Sequence, residues 1–179
     1  MGVLKTAGIV AALAIAGVLI AAATRSDTFR VQRSASIKAA PEKIFPLIDD
    51  LHRFNTWNPF AQQDPNLKGS YSGAASGKSA AYTFAGNGNV GKGTIEIIDS
   101  APASRVTMTL HMLAPFETRN TVQFLLEPQG ELTRVTWAMQ GSVPYFAKII
   151  HLFIDMDRMV GSEFDAGLAS LKAIAEKTP

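Results

Sequence analysis

After Pro144 the apolar residues Ile149, Phe153, Met156, Val160, Phe164, Leu168, Leu171 and Ala175 follow one another at spacings of three to four. That period places them along one side of a single helix of about 30 residues. A stripe so long has to be covered by something broad and apolar. From Gly69 onward the chain ahead of it offers only short strand-like segments divided by glycine and proline. The expected cover is therefore an antiparallel sheet folded across the helix. Gly161 and Gly167 lie close to the stripe, where they permit near approach or bending at some cost in helix propensity.

The segment Phe29 to Ile37 alternates apolar and polar residues as a half-buried strand does, and it leads into A-A-P-E-K-I-F. Pro41 suits the first position of a short helix and Glu42 its positive end, and Pro46 disturbs that helix. Asp49 or Asp50 is placed to cap a second short helix through Phe54, which Pro59 helps to end. Further strands are expected at 80–85, 92–99, 105–112, 117–127 and 132–140. Their joints include turns at Asp99-Ser100-Ala101-Pro102 and Glu127-Pro128-Gln129-Gly130.

Strand alternation says which side chains meet the helix. Thr118, Asn120, Val122, Phe124 and Leu126 share one face; so do Thr133, Val135, Trp137 and Met139, then Val106, Met108, Leu110 and Met112, and Tyr82 with Phe84. Taken singly, such aromatics and methionines are core residues. The polar groups of Tyr82, Asn120 and Trp137 among them point to a mostly apolar small-molecule site instead. The candidate ligand-binding residues are Trp57, Tyr82, Phe84, Met108, Asn120, Trp137, Met139, Phe153 and Met156. Trp57, in W-N-P-F, is either an aromatic plug of the core or part of a lid near the cavity mouth.

Two glycine motifs imitate phosphate-binding loops. G-N-G-N-V-G, Gly86 to Gly91, matches a dinucleotide fingerprint in letters, but lies between two strand-like segments with no helix behind it. It reads as a hairpin connection. G-A-A-S-G-K-S, Gly73 to Ser79, is one residue short of a P-loop and also runs into a strand.

Near the start of the chain, positions 6 to 24 carry no charge. As a helix this run reaches about 28 Å, close to the roughly 30 Å of a bilayer's hydrocarbon layer. Ala21-Ala22-Ala23 also fits a signal-peptide cleavage site, so residues 1–26 are either a retained membrane anchor or a secretory signal. Residues 27–179 form one domain, expected outside the cytoplasm: periplasmic if anchored, secreted if cleaved. Lys5 before the run and Arg25 and Arg30 after it leave the positive-inside signal weak.

The formal net charge of +2 gives no electrostatic footprint for nucleic acid. There is no cysteine, which removes disulfides and thiolate chemistry. His52, His111 and His151 are isolated, and Asp155 and Asp157 stand on different sides of a helix, so no metal or other cofactor is expected. No G-x-S-x-G elbow occurs. Glu96 is an in-strand carboxylate of uncertain face that would serve as a general acid or base if buried.

The order of strand, two short helices, six strands and a long helix, with A-A-P-E-K-I-F near its start and T-R-V-T-W in its last strand, resembles the helix-grip fold. This is the fold of the START and Bet v 1-like (SRPBCC) superfamily, the group labelled polyketide cyclase/dehydrase and lipid transport, and the likeness runs from about residue 28 to 176. The resemblance implies an α+β domain whose curved antiparallel sheet of about seven strands wraps a long C-terminal helix, with a cavity between them. It also implies a hydrophobic or amphipathic small-molecule ligand in that cavity; with no convincing catalytic set in the sequence, the expected function is binding without chemistry, and the apolar N-terminal helix adds a membrane as partner. Two alternatives stand beside it: a cyclase- or aromatase-type enzyme using Tyr82, Asn120 or Glu96, and an interaction module whose cavity is filled by its own side chains.

Overall fold

The computed structural model describes residues 2–150 and 152–177; His151 lies outside the described residues. An apolar helix α1 (Gly2–Ala23) precedes β1 (Thr28–Ile37). Four single-turn helices follow: α2 (Pro41–Ile44), α3 (Pro46–Asp49), α4 (Leu51–Phe54) and α5 (Pro59–Gln62). A meander of six strands comes next: β2 (Lys68–Gly73), β3 (Ala80–Ala85), β4 (Lys92–Ala101), β5 (Arg105–Ala114), β6 (Thr118–Gln129) and β7 (Leu132–Ser142). Helices α6 (Tyr145–Ile150) and α7 (Met156–Ala175) complete the chain. The seven strands form one antiparallel sheet in the order β1-β7-β6-β5-β4-β3-β2, so β1 closes against the last strand of the meander.

Local chemistry explains the short helices. Pro41 and Pro46 each open one, and the Asp50 carboxylate accepts from the His52 amide at 2.8 Å to cap α4. Pro59 does more than end a helix: it starts α5, capped by Asn58.

The C-terminal helix differs from the sequence expectation. It is not one helix of about 30 residues but two, because Asp155 takes an extended conformation and its carboxylate accepts from the Arg158 amide at 3.0 Å. An N-cap of this kind starts a new helix whatever the apolar spacing does. Phe153 is thereby left in the joint, three-quarters exposed. The stripe Val160, Phe164, Leu168, Leu171 and Ala175 of α7 is buried against the sheet as expected.

Two turns are also displaced. The β6–β7 hairpin turns after Gln129, with Gly130 at φ +65°, while Pro128 lies inside the ladder opposite Thr133. Proline is tolerated there because β5 begins opposite Leu125, leaving no strand on the other side of Pro128. The β4–β5 turn likewise falls at residues 102–104, closed by the Ser104 amide on the Ala101 carbonyl at 3.1 Å.

The glycine motifs are hairpins. Ala85 pairs with Lys92, the Gly86 amide reaches the Gly91 carbonyl at 2.8 Å, and the Asn87 side chain accepts the amides of Asn89 and Val90. The amides of Gly86, Asn89, Val90 and Gly91 are used within the loop and that of Asn87 goes to the Asp64 carboxylate, where a phosphate would need such donors turned toward itself. Gly73 pairs with Ala80 across the β2–β3 connection, so Gly73 to Ser79 also joins strands.

Candidate functional site: the concave face of the sheet

The pairing register arranges the concave face in rows. The deepest runs Val106, Phe124, Trp137 and Arg33; the next runs Ile97, Met108, Val122, Met139 and Val31. Beyond these come Tyr82, Ile95, Leu110, Asn120, Gly141 and Phe29, and then Phe84, Gly93, Met112 and Thr118. The hydrophobic side chains of the two deep rows are buried apart from Met139, whereas Phe84, Leu110, Met112, Asn120 and Phe29 are only half-buried. The reason lies in α7. It runs along β1 from Arg33 toward Lys38, with Asp157 on Arg33, Lys172 on the Ser36 carbonyl and Glu176 on the Lys38 amide, and so lies over the row of Trp137 and those beyond it toward Ile37, away from the rows of Leu110 and Met112.

The deep end is packed ring on ring. Trp137 lies parallel to Phe164 of α7 at 4.1 Å, Trp57 meets Trp137 edge-on at 5.7 Å, and Phe54 and Phe124 complete the cluster. Trp57 is wholly buried, its indole N–H donating to the Leu47 carbonyl at 2.8 Å, so it plugs the core. Trp137 is 3% exposed, yet its Nε1–H has no hydrogen-bond partner among the described residues. A buried donor left unmet costs about 1–3 kcal/mol, and native proteins seldom keep one without a use.

The sequence-derived candidates are therefore divided by burial. Trp57, Met108 and Trp137 belong to the buried core; Met139, Asn120, Phe84 and Met156 are half-buried. Asn120 folds across Gly141, where a side-chain carbon would come within 2.1 Å of its Oδ1. Tyr82 stands on the concave face in the row of Ile95 and Leu110, at the β2–β3 edge of the sheet. Its hydroxyl crosses Gly69 of β2, its ring lies between Tyr71 at 4.6 Å and Phe84 at 6.1 Å, and burial, then the nearby Tyr71, raises its pKa. Phe153 lies outside the concave face. Glu96 also fails as a cavity carboxylate: it is exposed on the convex face, because Ile95 and Ile97 take the inward positions of β4.

One feature of this edge escaped the sequence reading. His52 stacks on Tyr71 at 3.7 Å, beside a cavity of about 150 Å³ lined by Leu51, Tyr71, Ala75 and Ala80. That is smaller than the roughly 300–1,000 Å³ of a typical ligand pocket. Its only signal was Tyr71 standing opposite Tyr82 in a strand too rich in glycine and serine to recognise. Among the described residues no group of three His, Asp or Glu side chains is placed to hold a metal ion. His111 pairs with Glu117 at 3.0 Å on the outer face of β5.

Solved structures share this architecture at low sequence identity. Protein MLL2253 from Mesorhizobium loti superposes with a TM-score of 0.62 and 16% identity, over 84% of this chain and 99% of that one. The Aha1 protein of Colwellia psychrerythraea, solved as a dimer, gives 0.58 and 18%, over 83% and 97%. Ara h 8.0201 gives 0.57 and 8%, also over 83% and 97%. At these identities the likeness is one of fold, the Bet v 1-like helix-grip fold. No curated protein matches the sequence. The sequence model of the family described as polyketide cyclase / dehydrase and lipid transport matches residues 28–176, nearly the whole chain after α1, and the protein belongs to that family.

Proposed function

We propose that the domain binds a hydrophobic or amphipathic small molecule in the outer half of the groove between sheet and α7, and that α1 is retained and holds it to a membrane on the extracytoplasmic side. Met139, Asn120, Phe84 and Met156 contact the ligand, over a floor of Trp57, Met108 and Trp137. The observation that carries the reading is the unmet indole N–H of Trp137 in an apolar surround. A ligand whose carbonyl, hydroxyl or carboxylate oxygen reached it would satisfy a donor that has no partner among the described residues. Family membership supports a hydrophobic ligand in general terms.

The test is titration of the full chain in detergent with dansyl-labelled undecanoate, comparing wild type with Trp137→Phe. Phenylalanine keeps a ring against Phe164 and removes the N–H. A net hydrogen bond of about 0.5–1.5 kcal/mol predicts affinity weaker by roughly 2- to 10-fold. Equal affinity in a variant of unchanged stability would remove Trp137 as the anchor.

A second reading is favoured by the rings at 4.1 to 6.3 Å that close the deep half: a module with its core filled by its own side chains. In that case neither protein binds the probe.

A further inference from the structure

We infer that the open end of the groove lies on the surface of the bilayer that α1 crosses, with α6 and two neighbouring loops inserted at the headgroup level. This rests on the reading of α1 as a retained anchor.

The sheet register brings the necessary parts to one end. Thr28, which follows α1, pairs with Ser142; Asn120 pairs with Gly141, Met112 with Thr118, and Lys92 with Ala114. The half-buried rows of the groove, the β5–β6 loop, the start of α6 and the exit of α1 are therefore all at the same end of the molecule. That end exposes large apolar side chains in Leu113 and Phe116 before β6 and in Tyr145 and Phe146 of α6, and Phe153 and Ile154, whose amides bond the Ile150 carbonyl at the close of α6, are exposed as well. Phe116 and Phe146 touch across the segments, ring centroids 5.8 Å apart. Residues 113–116 and 143–147 carry no charge. An apolar patch assembled from three separate pieces of chain marks an interaction surface rather than scattered exposure.

The position of α1 says what covers it. The stretch Thr6–Ala23 has a mean hydropathy of 2.4 and is almost wholly uncovered by protein. Its end is fixed to the patch: the Tyr145 hydroxyl donates to the Leu19 carbonyl at 2.7 Å, the Val143 amide to the Asp27 carbonyl at 2.7 Å, and Lys148 pairs with Asp27. Leu19 precedes Ala23 by four residues, about 6 Å along a helix. If the hydrocarbon layer holds Thr6–Ala23, Tyr145 and α6 sit within the depth of about 5–10 Å at which interfacial helices rest. Tyrosine with its ring in the acyl boundary and its hydroxyl on a polar atom is the side chain expected there. A ligand dissolved in the bilayer would then meet the groove without crossing water.

The chain has no cysteine, so single ones can be introduced for labelling. Full-length Leu13→Cys, Phe146→Cys, Phe153→Cys and Glu131→Cys variants, each carrying the fluorophore NBD, are reconstituted into phosphatidylcholine/phosphatidylglycerol vesicles with and without nitroxide-labelled phosphatidylcholine. The expected result is strong quenching at 13, 146 and 153 and none at 131, which lies in the β6–β7 turn at the opposite end. Quenching at 13 with 146 and 153 as bright as 131 overturns the docking and leaves the anchor standing. No quenching at 13 overturns the anchor and the docking with it.

Discussion

Replacing Gly167 with alanine should destabilise the domain, while the same change at Gly161, also in α7, should not. A methyl group at 167 would lie 2.6 Å from Cζ3 of Trp137 and 2.9 Å from Cδ of Pro59. Neither neighbour gives way easily: the indole is held by Phe164, Phe124 and Trp57, and Pro59 is rigid at the head of α5. Overpacking of this kind costs about 1–3 kcal/mol, against a gain of roughly 0.8–1 kcal/mol from alanine's better helix propensity. With the contact so short and both partners confined, the net loss should be about 1–2 kcal/mol. At 161 the methyl would meet Arg33, 2.0 Å from its Nη2, but that is the far end of a flexible side chain. Moving it weakens ion pairs with Asp157 and Asp165 whose carboxylates are about 60% exposed; exposed pairs of this kind contribute little, and the helix gain offsets the loss. Thermal unfolding followed by near-ultraviolet circular dichroism separates the two. For a chain of this size about 1–2 kcal/mol lowers Tm by roughly 2–8 °C. A Gly167→Ala protein as stable as Gly161→Ala would refute the claim that α7 is set down on Trp137 without slack.

Acid should loosen α7 from β1. Hydrogen bonding from Arg33 holds the Asp157 carboxyl below its ordinary pKa, and Lys172, with the Lys38 amide, does the same for Glu176. Both folded values are depressed, so the stabilisation is complete above the ordinary carboxylate range near pH 4 and is lost as pH falls below it. Tm should hold between pH 7 and 5 and then fall, less steeply in Asp157→Asn; an unchanged acid limb in that variant counts against the pairing. Asp64 is buried and accepts the amides of Asn66 at 2.9 Å and Asn87 at 2.7 Å, pinning the β3–β4 hairpin. Asp64→Ala should cost about 1–3 kcal/mol in chemical denaturation by leaving those amides unmet, and a change near zero would contradict it.

The fold was legible because period-two alternation survives packing. Asn120, Val122 and Phe124, and Val135 with Trp137, face inward as their spacing requires, since a shift by one residue would carry every one of them to solvent. What spacing does not register is a single capping side chain. The apolar period runs through residue 155, and only the Asp155 carboxylate on the Arg158 amide divides the helix and releases Phe153. The orientation of Tyr82 was likewise hidden, because it depends on the bare backbone of Gly69 across a neighbouring strand. The depth of each candidate in the groove was not readable either. That Trp57 is wholly buried and Met139 only half-buried is a tertiary fact with no local signature.

The filled deep end and the half-open outer end are parts of one arrangement. The ring cluster fills the space between α7 and the row of Trp137, and the later start of α7 leaves the rows of Leu110 and Met112 half-buried. Glu96 on the convex face removes the carboxylate that proton-transfer chemistry in the groove would have used.

The central claim is tested most directly by native mass spectrometry of the full chain, extracted gently from the membranes of its own host. The account predicts one retained hydrophobic or amphipathic molecule per chain, bearing an oxygen acceptor, with occupancy reduced in Trp137→Phe under identical handling. A chain that emerges empty, and that also fails to bind dansyl-labelled undecanoate, would contradict it and leave the filled-core module in its place.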